Sequence, residues 1–212
     1  MKKSLFLCSI TLWLFSCAGT RHNNSDGWVS LFDGKSLKDW QVGQNAETFS
    51  VDSGRIVVHG KIAHLFYTGD VQNHDFKNFH FKAEVMTTPG SNSGIYFHTQ
   101  YQERGWPSKG YEVQVNNSQS DWRRTGSLYG IDDVREKHVN DNEWYTEEII
   151  VQGKTVTIKL NDKTVVNYNE PDSIKRTKPT GKWISSGTFA LQGHDPMSRV
   201  YYRNIMVKPL PD

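Results

Sequence analysis

Cysteine is almost missing from this 212-residue chain. The two present are Cys8 and Cys17, and past them there is no thiol for a disulfide, a thiolate metal site or a cysteine nucleophile. Charge of one sign is also lacking. The formal net charge is +2, without a long run of like charge, so the broad positive field that non-specific nucleic-acid binding needs is absent. Nucleic acid is thereby excluded as a partner class. No segment carries a clean helical period, and no internal repeat or low-complexity run interrupts the chain.

The first residues read as an export signal rather than as part of a fold. MKKSLFLCSITLWLFSC opens on Lys2 and Lys3, continues in an apolar run too short for a comfortable membrane span, and ends on Leu14-Phe15-Ser16-Cys17. That ending is similar to a bacterial lipobox, in which the cysteine becomes the lipidated first residue. The expectation is a signal peptide over 1–16, a lipidated tether over 17–26 with the acyl chain on Cys17, and a folded domain over 27–212. Such a chain is exported and held at the cell envelope by its lipid, on the periplasmic face of the outer membrane. Losing residues 1–16 removes two lysines and no acid, which leaves 23 basic and 23 acidic side chains. A neutral domain of this kind suits a neutral partner such as a sugar.

Aromatic residues, in contrast, are plentiful: seven Trp, nine Tyr and ten Phe. After residue 27 the chain reads as strand after strand, over 28–32, 48–51, 55–60, 79–87, 93–100, 111–116, 144–152, 155–161, 164–169, 188–194 and 199–209. Turn signals separate them, among them Pro89-Gly90, Gly153 and the Asn161-Asp162 hairpin. Short strands at regular spacing predict an all-β fold in one domain, a two-sheet antiparallel sandwich.

Side chains alternate between the two faces of a strand, and three of these strands share an unusual polar face. In GYEVQVNN (110–117), Tyr111, Val113 and Val115 point one way, while Glu112, Gln114 and Asn116 point the other. In SGIYFHTQ, Tyr96, His98 and Gln100 share a face. In TFALQGH, Gln192 and His194 do. A merely wetted face would carry more Lys, Ser and Thr. Histidine, amide and one carboxylate gathered on three strands point instead to a site for a polyhydroxylated ligand. The three strands must lie in one sheet for this to hold.

Six motifs in order carry a resemblance: LFDGKSLKDW (31–40), PGSNSGIYFH (89–98), GYEVQVNN (110–117), TGSLYG (125–130), FALQGHD (189–195) and YYRNIMVKPL (201–210). Together they closely resemble the 3-keto-disaccharide hydrolase family, from about residue 27 to the C-terminus. The resemblance implies a concanavalin- or laminarinase-like jelly roll acting on 3-keto-glycosides, with the ketone installed by a separate sugar 3-dehydrogenase. His98 and Asp195 depart from the family's more usual residues.

Ordinary glycosidases flank the bond with two carboxyl groups, and Gln114 and Asn116 cannot serve as a second one. A ketone at C3 removes that requirement, because it acidifies the hydrogen on C2. One base takes that proton, the enolate expels the group at C1, and water adds back. The expected catalytic residues are Glu112, His194, His98 and Tyr129. Asn92, Tyr96, Gln114, Asn116, Gln192, Trp106 and Trp122 are expected to contact sugar. A divalent ion such as Zn or Mn would polarise the ketone, held by His98, Glu112 and His194. His64 and His74 read as structural hydrogen-bonders, and His59 and His138 as surface residues. The competing readings are a non-catalytic carbohydrate-binding lipoprotein and an assembly lipoprotein whose polar face is merely wet.

Overall fold

A computed structural model describes residues 26–176, 178 and 180–212. The expected signal, the lipidated Cys17 and nearly all of the tether lie outside the described residues. The chain folds as a two-sheet antiparallel jelly-roll sandwich. The larger sheet holds β1 (Val29–Ser30), β3 (Phe49–Asp52), β4 (Arg55–Val58), β6 (Phe79–Thr87), β9 (Tyr145–Gln152), β10 (Thr155–Leu160), β11 (Lys163–Asn169) and β13 (Val200–Pro209). Its order is β11-β10-β9-β6-β13-β4-β3, and β1 also pairs with β13. The smaller sheet holds β2 (Trp40–Val42), β5 (Ala63–Tyr67), β7 (Ser93–Thr99), β8 (Tyr111–Val115) and β12 (Thr188–Gly193), in the order β2-β5-β12-β7-β8. Strands β7, β8 and β12 are therefore neighbours, as the polar-face argument requires.

Alternation explains the larger sheet. Along β6, Phe79, Phe81, Ala83 and Val85 are buried, while His80, Lys82, Glu84 and Met86 are only partly so. The Asn161-Asp162 turn closes β10 onto β11 with φ of 46° and 66°, the left-handed pair that a two-residue hairpin needs. Between the sheets, the Phe189 ring from β12 meets Phe76, Phe79 and Phe81 at centroid distances of 4.7, 4.9 and 4.7 Å. Phe189→Ala would empty the middle of this stack and is expected to cost about 3–5 kcal/mol of stability. Chemical denaturation measures it, and a loss below about 1 kcal/mol would mean that the stack does not hold the sheets together.

The smaller sheet departs from simple alternation, since every residue of β5, β7 and β8 is buried. Its outer face has a roof. Tyr101 packs edge-on against Phe66 at 5.5 Å and Trp106 edge-on against His64 at 5.4 Å. Residues 125–129 extend the sheet beyond β8: the Gln114 N–H donates to Ser127 O, the Gly126 N–H to Gln114 O and the Tyr129 N–H to Glu112 O, each at 2.9 Å. Strands β2 and β5 were not among the expected ones. AHLFY is covered on both faces and so shows no period of two, and β2 has only three residues.

One further departure removes an expected site residue. Opposite Phe189, β7 carries an extra residue, so that Thr188 pairs with Thr99 but Ala190 pairs with Tyr96. His98 takes up this bulge with φ of 53°, which turns its side chain off the polar face. The ring is fully buried against Phe79 and Phe97. Its Nε2 donates to Lys77 O at 2.9 Å, and its Nδ1 accepts from the Ser185 N–H at 3.2 Å. Burial lowers its pKa to about 4. His98 is thus a neutral structural histidine, and neither the catalytic nor the metal-binding role expected of it fits.

Candidate active site

A cavity of about 300 Å³ opens on the outer face of the smaller sheet. Its floor is made of Tyr96, Glu112, Gln114 and Gln192, with Asn92 and His194 at one end. Trp106 and Pro107 wall it from one loop, Tyr129 and Asp121 from another, and Lys182 from a third. Glu112 and Tyr96 face each other across the β7–β8 pair. The Tyr96 hydroxyl donates to Glu112 Oε2 at 2.8 Å, and Gln192 Nε2 donates to Oε1 at 2.5 Å. The carboxyl group lies over Gly94, where any Cβ would collide with it. Burial raises the Glu112 pKa, and the hydrogen bonds from Tyr96 and Gln192 oppose the rise. The result is about 7, with the nearby Lys182 and His194 also pulling it down. A carboxyl group in this state is near half-ionised at neutral pH, which suits proton transfer in either direction.

His194 follows the end of β12 and is oriented by its neighbour in the chain. Its Nδ1 pairs with Asp195 Oδ2 at 2.7 Å, and a carboxylate partner calls for a proton on Nδ1. Burial raises the Asp195 pKa, but hydrogen bonds from His194, Ser198 and the Met197 and Ser198 N–H groups outweigh it and hold the carboxylate ionised. Trp106 lies 5.7 Å from the His194 ring. It is 45% exposed, with surface left to cover a ligand.

Gln114 Nε2 donates to Asn92 Oδ1 at 2.7 Å, so these two form a joined amide pair in the cavity. Tyr96 lines the cavity too, but its hydroxyl is committed to Glu112. Two other expected sugar contacts lie elsewhere. Asn116 is fully buried. Its amide donates to Asp121 O and Arg123 O at 2.9 Å each, and its carbonyl accepts from the Gln119 N–H at 2.8 Å. It organises the 117–124 loop and does not reach the cavity. Trp122 has a guanidinium on its ring from Arg123 at 4.6 Å and from Arg135 at 3.9 Å. A ring already occupied by cations is no sugar platform. Arg123 continues over Tyr129 at 4.7 Å, and Lys182 follows at 5.0 Å. The Tyr129 ring is thereby clamped, and burial raises its hydroxyl pKa, keeping it a donor.

Sequence reasoning missed Lys182, Asp121 and Pro107. They come from loops without periodicity, and only the fold brings them to the cavity. Of the expected metal set, Glu112 and His194 share the cavity and His98 does not. Among the described residues no three His, Cys, Asp or Glu side chains are grouped as ligands, and His98, buried in the bulge, does not join Glu112 and His194 to complete the expected set.

The profile of the 3-keto-alpha-glucoside-1,2-lyase-like domain matches residues 27–208. The chain belongs to this family. A curated relative, the 3-keto-disaccharide hydrolase of Bacteroides thetaiotaomicron, is 25% identical over 88% of this chain and 80% of its own length. Among solved structures, a putative glycosyl hydrolase from Parabacteroides distasonis superposes with a TM-score of 0.73 at 23% identity, covering 88% of this chain and 95% of that one. The carbohydrate-binding module CBM66 from Bacillus subtilis superposes at 0.58 with 12% identity, covering 80% and 95%. Those two likenesses bear on the fold alone: family membership rests on the profile match.

Proposed function

We propose that this family member cleaves the glycosidic bond of 3-keto-glycosides or 3-keto-disaccharides by elimination followed by addition of water. The observation that carries it is the single floor carboxylate, Glu112, buried and titrating near neutral pH beside the His194–Asp195 pair. The second carboxylate of the cavity, Asp121, accepts from the Arg123 N–H at 3.0 Å and from its guanidinium at 3.4 Å, which ties it to the wall. In the reaction, Glu112 takes the proton from C2. The electron pair moves to the C3 oxygen, and the Lys182 ammonium faces the negative charge that develops there. The Tyr129 hydroxyl or His194 supplies the proton to the departing oxygen. Asn92 and Gln114 offer amide groups to the hydroxyls. The cavity is at the small end of ligand pockets, sized for one or two rings rather than for a polymer laid along a groove.

The names borne by the family and its relative support this substrate class, and a sugar 3-dehydrogenase would supply it. Substrate carrying deuterium at C2 tests the route. Elimination predicts a primary isotope effect on cleavage and loss of the label to solvent, and full retention of the label with an unchanged rate would restore a conventional glycosidase. Export and lipidation at Cys17 belong to the same proposal. Cys17→Ser should yield unprocessed precursor or a soluble exported protein on membrane fractionation, and unchanged membrane retention would sink the lipid anchor.

A further inference from the structure

The outer face of the smaller sheet buries two further polar atoms beside Glu112. His64 on β5 and Gln192 on β12 are cross-strand partners, 3% and 2% exposed. His64 Nε2 and Gln192 Oε1 are both buried and have no protein hydrogen-bond partner. Neither can readily turn away. Gln192 commits its amide nitrogen to Glu112 Oε1 at 2.5 Å and to the Tyr96 hydroxyl at 3.3 Å, so its carbonyl oxygen is aimed away from the carboxyl group. The His64 ring is wedged edge-on between Tyr96 and Trp106, each at 5.4 Å. Buried polar atoms without a partner are costly and rare, and two on paired residues one side chain from Glu112 call for an explanation.

We propose that His64 Nε2 and Gln192 Oε1 seat the water molecule that adds to the eliminated sugar, so that this pair makes the protein a hydrolase rather than a lyase. The inference rests on the elimination route proposed above. With its proton on Nδ1, a neutral His64 offers Nε2 as an acceptor, and Gln192 offers a second. Two acceptors match a molecule with two O–H donors, which is water. A sugar hydroxyl, with one hydrogen, would satisfy only one of them. A water donating both hydrogens keeps its lone pairs free, and it borders the cavity, because Gln192 lines the floor and Trp106, packed on His64, lines the wall. Burial lowers the His64 pKa to about 4, which keeps the imidazole in the neutral, accepting form.

The step balances. The water oxygen bonds to C1 of the unsaturated keto sugar as the C1–C2 π pair moves through C2 and C3 to the ketone oxygen. The enolate then closes to the ketone as C2 takes a proton from Glu112, whose acid proton has meanwhile exchanged with solvent. The proton shed by the water passes to the group that served the departing oxygen and restores it. The net change is one glycoside and one water to one keto sugar and one free alcohol.

The test is product partition. His64→Phe keeps a flat ring between Tyr96 and Trp106 and removes the nitrogen. His64→Gln offers an acceptor again. Each purified protein is given a 3-keto-glucoside, and separately the isolated unsaturated keto sugar, and products are resolved by NMR. His64→Phe should raise the ratio of unsaturated to hydrated product at least ~10-fold and slow hydration of the isolated unsaturated sugar by ~100-fold, as for a reactant no longer held in place, and His64→Gln should recover part of both. Unchanged partition in His64→Phe overturns the assignment, as does a wild-type protein that stops at the unsaturated sugar. Should His64→Phe not fold, an unchanged partition in His64→Leu overturns it equally. Failure of the elimination route itself looks different: wild type would then cleave without losing a C2 label and would not hydrate the isolated unsaturated sugar.

Discussion

Glu112→Gln should abolish turnover and stabilise the protein at the same time. The substitution keeps the shape of the side chain and its place over Gly94. The new carbonyl oxygen can accept from Gln192 Nε2, and the new amide can donate to the Tyr96 oxygen, reversing the bond that Tyr96 makes to Oε2. What disappears is basicity. A positioned acid–base group contributes typically ~10²–10⁴-fold, so cleavage of a 3-keto-glycoside should fall at least ~100-fold.

The stability change follows from the raised pKa. Glu112 moves from an ordinary value of 4.5 to about 7 in the fold. A carboxyl group whose folded pKa is raised is favourable to the fold when protonated. Its contribution is fully present below pH 4.5 and is lost as pH rises through 7. Above that window the wild type bears a cost of order 3 kcal/mol for holding the charge buried, which a neutral amide avoids. At pH 8 Glu112→Gln should therefore melt higher than wild type, while at pH 4 the two should nearly coincide. The wild-type rate should rise with pH through about 7 as the base ionises. Retained turnover in the variant would remove Glu112 from the chemistry, and a lower melting temperature at pH 8 would mean that its charge is stabilised by something other than Tyr96 and Gln192.

Much of this site was legible in advance, and the gaps have physical causes. Alternation placed Glu112, Gln114, Tyr96 and Gln192 on one face because the period of two survives in β8, in β12 and in the first half of β7. It failed at His98, because one extra residue in β7 reverses the facing of everything after it, and a bulge leaves no mark in a hydrophobic pattern. It could assign His64 to neither face, because AHLFY is buried on both and has no period to read. Asn116 and Trp122 were of the right residue types and in the right neighbourhood, yet the 117–136 loops consume them internally. Lys182 was invisible because a loop residue's destination depends on the whole path of the chain. Asp195, noted in the sequence only as a departure from the family, turns out to orient His194. The sheet order itself, with β12 between β5 and β7, is a long-range property that no local pattern encodes.

The largest effect should come from changing the substrate rather than the protein. If the reaction begins at C2, everything depends on the acidity of that hydrogen, which the C3 ketone supplies and a C3 hydroxyl does not. A base titrating near pH 7 is strong enough to remove a proton beside a carbonyl when the enolate oxygen is met by a cation such as Lys182, but it cannot remove one from an ordinary sugar carbon. The cavity would still admit the unoxidised disaccharide, since the two differ by only two hydrogens and share every hydroxyl except the one at C3. Binding should therefore be similar and turnover should not. A 3-keto-disaccharide and its parent, compared at equal concentration with product release followed by chromatography, should differ by at least ~10⁴-fold in rate, beyond the upper end of what a single acid–base group contributes. The parent should also act as a competitive inhibitor, with an inhibition constant near the Michaelis constant of the keto form. Equal rates on both would place the first bond-breaking step at C1 instead, and Asp121 would then have to leave Arg123 to act as the second carboxyl group.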